Sequence, residues 1–288
     1  MKILVLGGTR FFGIRMVQDL LKMGHDVTIG TRGVAGDPFG CQVKRVALDR
    51  SSGESLRRAL EGKRFDLVID KIAYCSNDIK RLLDFIDCEK YIYMSTTAVY
   101  KPKKINLVEE DFDPLGMELA WRERKDLPYD ESKRLAEAAL TQKYPGQKYI
   151  AVRYPVVLGK DDYTKRLLFY AEHVARSIPM RIDNIDAQMS FIRSDEAGAF
   201  MAFLADKDFC GAVNGASKGT VCLRQIIEFL EDKTGKKAIL SADGDAAPYN
   251  GESEFSVNTD KAKALGFEFS DVNDWIYELL EFFCASLG

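Results

Sequence analysis

Residues 7–13 read Gly-Gly-Thr-Arg-Phe-Phe-Gly and directly follow an apolar run, Ile-Leu-Val-Leu, at residues 3–6. The apolar run predicts a buried strand, and the amphipathic stretch at 12–23 predicts a helix. Glycines between a strand and a helix allow a tight turn, and the free N–H groups at the helix N-terminus attract phosphate. The stretch therefore indicates a site for the pyrophosphate of a dinucleotide. A tight strand-to-helix turn without any ligand is the alternative interpretation.

Further strands and helices alternate along the first half of the chain. Strands are predicted at 26–29, 43–48, 66–69, 91–94 and 149–152, and helices at 54–60, 79–85 and 130–143. This alternation requires β-α-β crossovers, so we predict an α/β protein with a Rossmann-type doubly wound parallel sheet. Residues 1–153 form the dinucleotide-binding domain in this interpretation. Residues 154–288 form mostly a smaller substrate-binding domain, with a segment near 187–225 that packs back on the first domain.

The composition is ordinary for a globular enzyme and argues against several other classes of protein. The 288 residues carry a net charge of −3, with a pI near 5.7, so no overall positive field attracts nucleic acid or anionic membranes. The cysteines and the two histidines are scattered without metal-ligand spacing, so no metal site is expected. No apolar stretch is long enough to cross a bilayer or to act as a signal peptide. We therefore expect a cytoplasmic protein with reduced thiols.

Tyr129 and Lys133 stand four residues apart at the start of a predicted helix. This spacing puts both side chains on one face of the helix, where the ammonium group favours the phenolate form of the tyrosine. Such a tyrosine can exchange a proton with a substrate while hydride moves to or from a nicotinamide. The same spacing occurs twice more in the chain, but in segments that a proline interrupts.

Ser95, Thr96 and Thr97 follow the strand predicted at 91–94. Side chains at the carboxyl end of a parallel strand lie where open α/β sheets bind their ligands. Thr97 is then placed to hydrogen-bond the substrate oxygen that Tyr129 deprotonates. A cluster of hydroxyl residues also suits an ordinary turn, so it indicates a site only together with the glycine turn and the Tyr-Lys pair.

These three elements, in this order, resemble the extended short-chain dehydrogenase/reductases, the group of NAD-dependent epimerases and dehydratases. Residues 153–155, 190–195, 214–217 and 263–267 are also similar to that family, so the likeness extends over nearly the whole chain. The resemblance implies catalytic roles for Thr97, Tyr129 and Lys133, and Lys133 also holds the nicotinamide ribose. It further implies a cofactor site, with Gly7, Thr9, Arg10, Phe12 and Gly13 at the pyrophosphate, Arg32, Asp49 and Arg50 at the adenosine, and Ile72 and Ala73 near the nicotinamide ribose.

The end of the second predicted strand departs from the NAD-binding members of that family. It reads Gly30-Thr31-Arg32, without the acidic residue that holds the hydroxyls of the adenosine ribose. An arginine at this point, with Arg10 nearby in the glycine turn, suits the 2′-phosphate of NADP. We therefore expect NADP in preference to NAD as the cofactor. An arginine that is simply solvated at the surface is the alternative.

Other departures narrow the expected reaction. The dehydratases of the family carry an Asp-Glu pair directly after the threonine, whereas Ala98 and Val99 follow Thr97 here, so dehydration is not expected. Epimerases of uridine diphosphate sugars place an arginine on the pyrophosphate before the returning strand, and Gln188 occupies that place. Arg181 and Arg193 are the candidates to replace it. The charged insertion at 121–126 forms either a lip of the substrate pocket or an exposed loop.

The leading hypothesis is a nicotinamide-dependent oxidoreductase or epimerase that acts on a secondary alcohol or ketone of a small molecule, such as a sugar or nucleotide sugar. The glycine stretch also resembles that of the plastid stem-loop RNA-binding relatives of the family, so RNA binding is an alternative that the acidic charge balance disfavours. A third hypothesis is a sensor that binds the dinucleotide and catalyses nothing. The resemblance also implies a homodimer through the helices near 79–85 and 133–140, whose apolar faces suit packing on the sheet equally well.

Overall fold

Strands and helices alternate through most of the chain, of which the computed structural model describes residues 1–287. The strands are β1 (Lys2–Leu6), β2 (Asp26–Thr31), β3 (Lys44–Ala47), β4 (Arg64–Asp70), β5 (Asp87–Thr96), β6 (Lys148–Tyr154), β7 (Val156–Leu158), β8 (Met180–Arg181), β9 (Phe191–Arg193), β10 (Gly211–Asn214) and β11 (Asp245–Ala246). The α-helices are α1 (Phe12–Lys22), α2 (Gly53–Leu60), α3 (Ser76–Leu83), α4 (Tyr129–Lys143), α5 (Arg166–Arg176), α6 (Ser194–Phe203), α7 (Leu223–Thr234), α8 (Asp260–Ala264) and α9 (Ile276–Leu287). Short 3-10 helices lie at Gly40–Gln42, Thr97–Val99, Glu109–Asp111, Pro114–Gly116, Leu204–Asp206 and Val272–Asp274.

Seven of the strands form one parallel sheet in the order β10-β6-β5-β4-β1-β2-β3. The predicted Rossmann-type doubly wound parallel sheet is therefore confirmed. The direction of winding reverses between β1 and β4, so a crevice opens beyond their carboxyl ends, where such sheets bind ligands. Helices cover both faces, which is why β1 contains four buried apolar residues in succession.

Each face of the sheet has its own apolar core. On one face, Met16 of α1 and Phe200 of α6 pack over the buried residues of β1 and β2. A Cβ on Gly198 would lie only 2.5 Å from the carbonyl oxygen of Phe12, so α6 packs directly against the start of α1. On the other face, the apolar residues of α3 and α4 pack in one core with those of α2, β1 and β4, and they include Ile79, Leu82, Ala136 and Leu140.

A smaller layer follows β6. Its core joins α5, α7 and α9, for example through Leu167, Ile226 and Leu280. The small sheets β7-β9 and β8-β11 also belong to this part of the chain. Between α5 and α7 the chain returns to the main sheet, where α6 packs on α1 and β10 pairs with β6. Both elements lie in the segment near 187–225. Within residues 1–287 no helix combines the length and apolar character that crossing a membrane requires.

Candidate active site

The glycine turn leaves β1 with Gly7 in a left-handed conformation, with φ 91°, and enters α1 at Phe12. A Cβ on Gly13 would lie 2.9 Å from the carbonyl oxygen of Gly7, so only glycine lets the helix begin this close to the strand. Phe11 has φ 54°, which costs a non-glycine residue on the order of 1–3 kcal/mol. Such strain is concentrated where a backbone holds a ligand. The turn therefore fits the pyrophosphate of a dinucleotide, with the N-terminus of α1 directed at it.

The segment after β4 lies against this turn. A Cβ on Gly7 would lie 2.5 Å from Cγ2 of Ile72, so the Ile72 side chain packs directly against the glycine turn. The N–H groups of Ile72 and Ala73 donate hydrogen bonds of 3.1 and 2.9 Å to Oδ1 of Asp70, the last residue of β4. Asp70 thus fixes the backbone of both residues that the sequence predicts near the nicotinamide ribose, and Ile72 lies beside the glycine turn.

The residues predicted at the adenosine end lie at the carboxyl ends of β2 and β3. The side chains of Arg10 and Arg32 are exposed, and Thr9 is half-buried. Hydrogen bonds from Ser51 hold the pKa of Asp49 below its usual range, and the positive charge of Arg32 adds to this effect. The charge of Arg32 therefore acts on the carboxylate of Asp49.

Arg50 has a different role from the predicted one. Its Nε and Nη2 donate hydrogen bonds of 2.9 and 2.7 Å to Oδ2 of Asp70, and Nη2 also donates to the carbonyl oxygen of Asp78 at 2.6 Å. The Tyr91 hydroxyl donates to the same oxygen of Asp70 at 3.0 Å. Because its charge is engaged in this ion pair inside the protein, the structure corrects the prediction that Arg50 surrounds the adenosine.

Tyr129 and Lys133 lie on the first turns of α4. The Tyr129 side chain borders the crevice and is 48% exposed, whereas Lys133 is completely buried. Nζ of Lys133 donates hydrogen bonds of 2.8 and 2.7 Å to the carbonyl oxygens of Ala73 and Met94, and it lies 6.0 Å from the centre of the Tyr129 ring. Burial lowers the pKa of Lys133 to about 7, and desolvation also raises the pKa of Tyr129. Both shifts favour the uncharged forms of the two side chains.

Thr96, the residue before Thr97, is the threonine that interacts with Tyr129. Its side chain lowers the pKa of Tyr129, against the larger effect of desolvation. Thr96 ends β5, and its Oγ1 also accepts the N–H of Ala98 at 3.2 Å. Thr97 is buried at the start of the following 3-10 helix and borders the same cavity. The strand continues two residues beyond its predicted end, so Thr96 ends β5 and Thr97 begins the 3-10 helix, and both threonines border the cavity.

Ser95 has a structural role beneath the site. Its hydroxyl donates to Glu137 of α4, whose other carboxylate oxygen pairs with Nη2 of Arg153 at 2.7 Å. Arg153 is fully buried and also donates to the hydroxyl of Tyr100 at 3.2 Å. This network joins β5, β6 and α4, so it holds the helix that carries Tyr129 in position relative to the sheet.

A sequence model described as the NAD dependent epimerase/dehydratase family matches residues 3–213, which include the glycine turn, Tyr129 and Lys133. This chain belongs to that family. Membership in the NAD-dependent epimerase/dehydratase family supports a nicotinamide dinucleotide as the cofactor, in agreement with the geometry of the glycine turn.

Among curated proteins, this family member is similar to the chloroplast stem-loop binding protein of 41 kDa b from Arabidopsis thaliana, with 26% identity over 225 residues. The match covers 72% of this chain and 56% of the relative, so the chain spans about half the length of that protein. The structure is also similar to the UDP-glucose 4-epimerase of Thermus thermophilus, with 19% identity, a TM-score of 0.73 and coverage of 98% and 99% of the two chains. The UDP-glucose 4-epimerase of Thermotoga maritima gives 18% identity, a TM-score of 0.74 and full coverage of both chains, 100%. At these low identities the two solved structures show a shared fold.

The crevice of this epimerase/dehydratase family member widens into a cavity of about 580 Å³ bordered by Thr96, Tyr129 and Phe12. Its basic side chains, among the residues described, are Lys71, Lys103, Arg124 and Arg166. Nζ of Lys71 lies 3.8 Å from the centre of the Phe12 ring, and burial lowers the pKa of Lys71 to about 8. Sequence reasoning missed Lys71 and Arg166, because they come from separate segments and share no motif.

Arg124 belongs to the charged insertion at 121–126. The Ser76 hydroxyl, at the start of α3, donates to the carbonyl oxygen of Ala120 at 2.7 Å and accepts the N–H of Arg122 at 2.9 Å. The Arg124 guanidinium lies 3.7 Å from the centre of the Tyr74 ring, which is itself 6.1 Å from the Tyr129 ring. The insertion is therefore largely exposed, as the loop interpretation predicts, and contributes Arg124 to the border of the cavity.

Among the described residues that line the cavity there is neither Arg181 nor Arg193, the two candidates that the sequence suggested for the missing diphosphate arginine. Arg193 is engaged with Asp195 at 2.6 Å, and the Gln188 amide oxygen accepts the hydroxyl of Thr220 at 2.9 Å. Arg166, at the start of α5, borders the cavity instead.

Proposed function

We propose that this protein is an NADP-dependent oxidoreductase or epimerase of the extended short-chain dehydrogenase/reductase type, acting on a secondary alcohol or ketone of a sugar-like substrate. The observation that carries the proposal is the meeting of Thr96, Tyr129 and Lys133 beside the glycine turn. A phenol, a hydroxyl and an ammonium group at this point supply acid-base chemistry that dinucleotide binding alone does not require.

The cofactor would be held by the residues at the carboxyl edge of the sheet. Those at the pyrophosphate are Gly7, Thr9, Arg10, Phe12 and Gly13; those at the adenosine are Arg32 and Asp49; and those near the nicotinamide ribose are Ile72, Ala73 and Lys133. When bound, the nicotinamide would accept a hydride from the substrate carbon or deliver one to it. In an epimerase the same cofactor would do both in turn, whereas a reductase would exchange it.

Proton transfer would be the work of this chain's own side chains. The Tyr129 hydroxyl would take the proton from the substrate alcohol or return it, and Thr96 would hydrogen-bond the same oxygen. Lys133 uses two of its three N–H groups on Ala73 and Met94, so a third is available for a ribose hydroxyl. When protonated, Lys133 favours the phenolate of Tyr129 and offsets the effect of burial on that pKa.

The preference for NADP rests on charge at the adenosine end. Arg10 and Arg32 present exposed guanidinium groups beyond β1 and β2. β2 ends at Thr31, without an acidic side chain to accept the ribose hydroxyls. A 2′-phosphate offers oxygens that a guanidinium can bind in a bidentate manner, whereas a bare ribose does not.

Nucleotide sugars are the first substrates to test. The two solved structures above are UDP-glucose 4-epimerases, one described in complex with NAD and the other with UDP-glucose. In this chain Gln188 supplies no positive charge for a diphosphate, but Arg166 and Lys103 border the cavity. A panel of UDP-sugars, sugar phosphates and free sugars therefore tests the proposed substrate class.

The deciding experiment begins with the cofactor. Freshly purified protein is denatured, any released nucleotide is identified by chromatography, and the emptied protein is titrated with NADPH and NADH by fluorescence. A stoichiometric, tightly held cofactor supports an epimerase that recycles its own hydride. A protein that is purified without nucleotide and prefers NADPH supports a reductase that exchanges its cofactor. A preference for NADH contradicts the proposed choice of NADP. Binding of neither dinucleotide contradicts the proposal that the protein is an enzyme.

Tyr129→Phe separates an enzyme from a sensor. We expect turnover on the active member of the panel to fall by about 10²–10⁴-fold while the Kd for NADPH stays within about threefold, because the variant loses only the acid-base group. Tyr144→Phe, which removes a hydroxyl that bonds Asp84 at the surface, is the matched control and should keep full activity. Tight cofactor binding by the wild type without turnover on any substrate would favour the sensor.

RNA binding is the second candidate function, and the name of the Arabidopsis relative favours it. The chain has a short basic stretch at 101–104, but its charge is neutralised in the structure, because Lys101, Lys103 and Lys104 pair with Asp130, Glu252 and Asp111. We therefore expect no binding of a stem-loop RNA at 150 mM salt in a filter assay. Retention of the RNA that weakens steeply as salt increases would support this second function.

A further inference from the structure

Asp162 is a buried carboxylate on the cavity wall that has no part in the proposed catalytic set. Its side chain lines the cavity, and the residue is 8% exposed. Oδ1 accepts hydrogen bonds of 2.9 and 2.6 Å from the N–H and the hydroxyl of Thr164. Oδ2 is buried and finds no donor anywhere in residues 1–287. Because a buried polar atom without a partner is destabilising, this oxygen points to a ligand with a hydrogen-bond donor.

Tyr249 is a second side chain that lines the cavity and carries a buried polar atom without a hydrogen-bond partner in the described part of the chain. Its backbone is strained, with φ 71°, and the unpaired atom is its hydroxyl oxygen. The Asn184 amide donates to the carbonyl oxygen of Tyr249 at 3.0 Å, and the Tyr170 hydroxyl donates to that of Pro248. The ring packs against Tyr170 and Phe191, at 6.3 and 5.6 Å between ring centres. These contacts maintain the strained backbone, so the hydroxyl keeps a defined position on the wall.

Arg166 completes the group. Its exposed guanidinium borders the cavity and makes no ion pair or hydrogen bond with residues 1–287. Burial is the main cause that raises the pKa of Tyr249, the negative charge of Asp162 raises it further, and Arg166 lowers it. The charge of Arg166 also lowers the pKa of Tyr129, so Arg166 lies within electrostatic reach of both phenols. We call Asp162, Arg166 and Tyr249 the far wall.

We propose that the far wall binds a polyhydroxylated, sugar-like part of the substrate. Oδ2 of Asp162 accepts a hydrogen bond from one hydroxyl, and the Tyr249 hydroxyl and the Arg166 guanidinium donate to neighbouring oxygens. The proposal rests on the proposed function, in which Tyr129 exchanges a proton with the same molecule. It adds the residues that recognise the part of the substrate that does not react.

The chemistry of the three groups favours hydroxyls over other ligands. An apolar substrate offers no partner to the Asp162 oxygen or the Tyr249 hydroxyl, so both remain unpaired at a cost in free energy. A phosphate or diphosphate in contact with Asp162 places two negative charges together in a desolvated wall. A sugar ring supplies both donors for the carboxylate and acceptors for the phenol and the guanidinium.

The test measures binding and does not depend on turnover. Isothermal titration with D-glucose, glucose 1-phosphate and UDP-glucose is done on the wild type with and without saturating NADPH, and on Asp162→Asn, Arg166→Gln and Tyr249→Phe. We expect at least one probe to bind the wild type and each variant to bind it at least about tenfold more weakly, as the loss of a hydrogen bond to a charged group or a buried phenol predicts. Asp162→Asn retains the oxygen that bonds Thr164, so the loop keeps its local structure.

Matched controls remove the same groups elsewhere. Asp243→Asn removes an exposed carboxylate, and Tyr277→Phe removes a phenol that does not border the cavity. Both should bind the probe within about twofold of the wild type, and NADPH should bind all variants equally, with thermal melts confirming that each is folded. A wild type that binds NADPH but none of the probes, or probes that bind the far-wall variants unchanged, would overturn this proposal alone. A wild type that binds no dinucleotide would instead overturn the proposed function.

Discussion

The ammonium group of Lys133 donates a 2.8 Å hydrogen bond to the carbonyl oxygen of Ala73, which joins the first turns of α4 to the segment after β4. A second hydrogen bond, of 2.7 Å, reaches Met94 in β5. Lys133 therefore connects the helix that carries Tyr129 to β5 and to the segment after β4. The residue proposed to tune the catalytic phenol is also part of the interior that positions it.

Lys133 should make stability depend on pH. Burial lowers its pKa from 10.5 to about 7, although Asp70, Glu137 and Asp78 favour its charged form, and Arg124 lowers the pKa further. Between these values the unfolded chain binds a proton that the folded chain does not, so the free energy of unfolding rises with pH. From pH 7 to pH 9 we expect Lys133 to contribute a rise of at most about 3 kcal/mol, which Lys133→Met removes.

Urea unfolding at the two pH values measures this difference. Lys125→Met, which removes an exposed lysine of the charged insertion at 121–126, should keep the wild-type increase. An equal increase in Lys133→Met and the wild type would show that Lys133 is charged in the folded protein at pH 7 and at pH 9.

Thr96 and Thr97 should differ in their effect on catalysis. Thr96→Val removes the hydroxyl that lowers the pKa of Tyr129, so we expect kcat to fall by about 10–100-fold and the basic limb of its pH profile to move to higher pH. Thr97→Val, an equally conservative change one residue later, should leave that limb in place. The pH-rate profile of each variant on the active substrate decides between the two threonines. A shift of the basic limb in Thr97→Val and none in Thr96→Val would assign the catalytic role to Thr97.

Arg32 should determine the choice between the two dinucleotides. If its guanidinium binds a 2′-phosphate, Arg32→Ala weakens NADPH binding by about 10–100-fold and leaves the Kd for NADH nearly unchanged. Arg58→Ala, which removes an exposed arginine from α2, is the control for a general loss of positive charge. Fluorescence titration measures both constants, and an equal loss for NADPH and NADH would argue against a phosphate site.

The Arg50–Asp70 ion pair should be essential for folding. Asp70→Asn leaves the buried Arg50 guanidinium without its counter-charge, and we expect the free energy of unfolding to fall by about 3–5 kcal/mol. Asp26→Asn breaks the exposed pair with Lys44 and should cost less than about 1 kcal/mol. Urea unfolding at pH 7 compares the two, and similar small losses would mean that other groups compensate Arg50.

Gly198 should tolerate no side chain. A Cβ would lie 2.5 Å from the carbonyl oxygen of Phe12 and 2.9 Å from the backbone nitrogen of Met16, so Gly198→Ala must displace α6 from α1. We expect a loss of about 1–3 kcal/mol in thermal or urea unfolding. Gly36→Ala, where no atom lies within 4 Å, should be neutral. Unchanged stability in Gly198→Ala would mean that the two helices separate without cost.

Some properties follow from local sequence patterns alone. The alternation of apolar strands and amphipathic helices predicts the doubly wound sheet, and the structure confirms it. The glycines at 7–13 predict the turn, because a positive φ and a close helix start are backbone requirements that few residues meet. The spacing of Tyr129 and Lys133 puts them together because it equals about one helical turn.

The tertiary structure decided which side chains interact with one another. Arg50 follows β3 as an adenosine-binding residue would, but its guanidinium is buried in an ion pair with Asp70 of β4. The choice of Thr96 depends on where β5 ends, and the side of a strand on which a side chain lies changes with every residue. The far wall joins loops that are remote in the chain, so no local pattern contains it. The hydrophobic periodicity of the sequence determines the conformation of the backbone. The interaction partner of a charged or hydroxyl side chain, in contrast, depends on residues that only folding brings near.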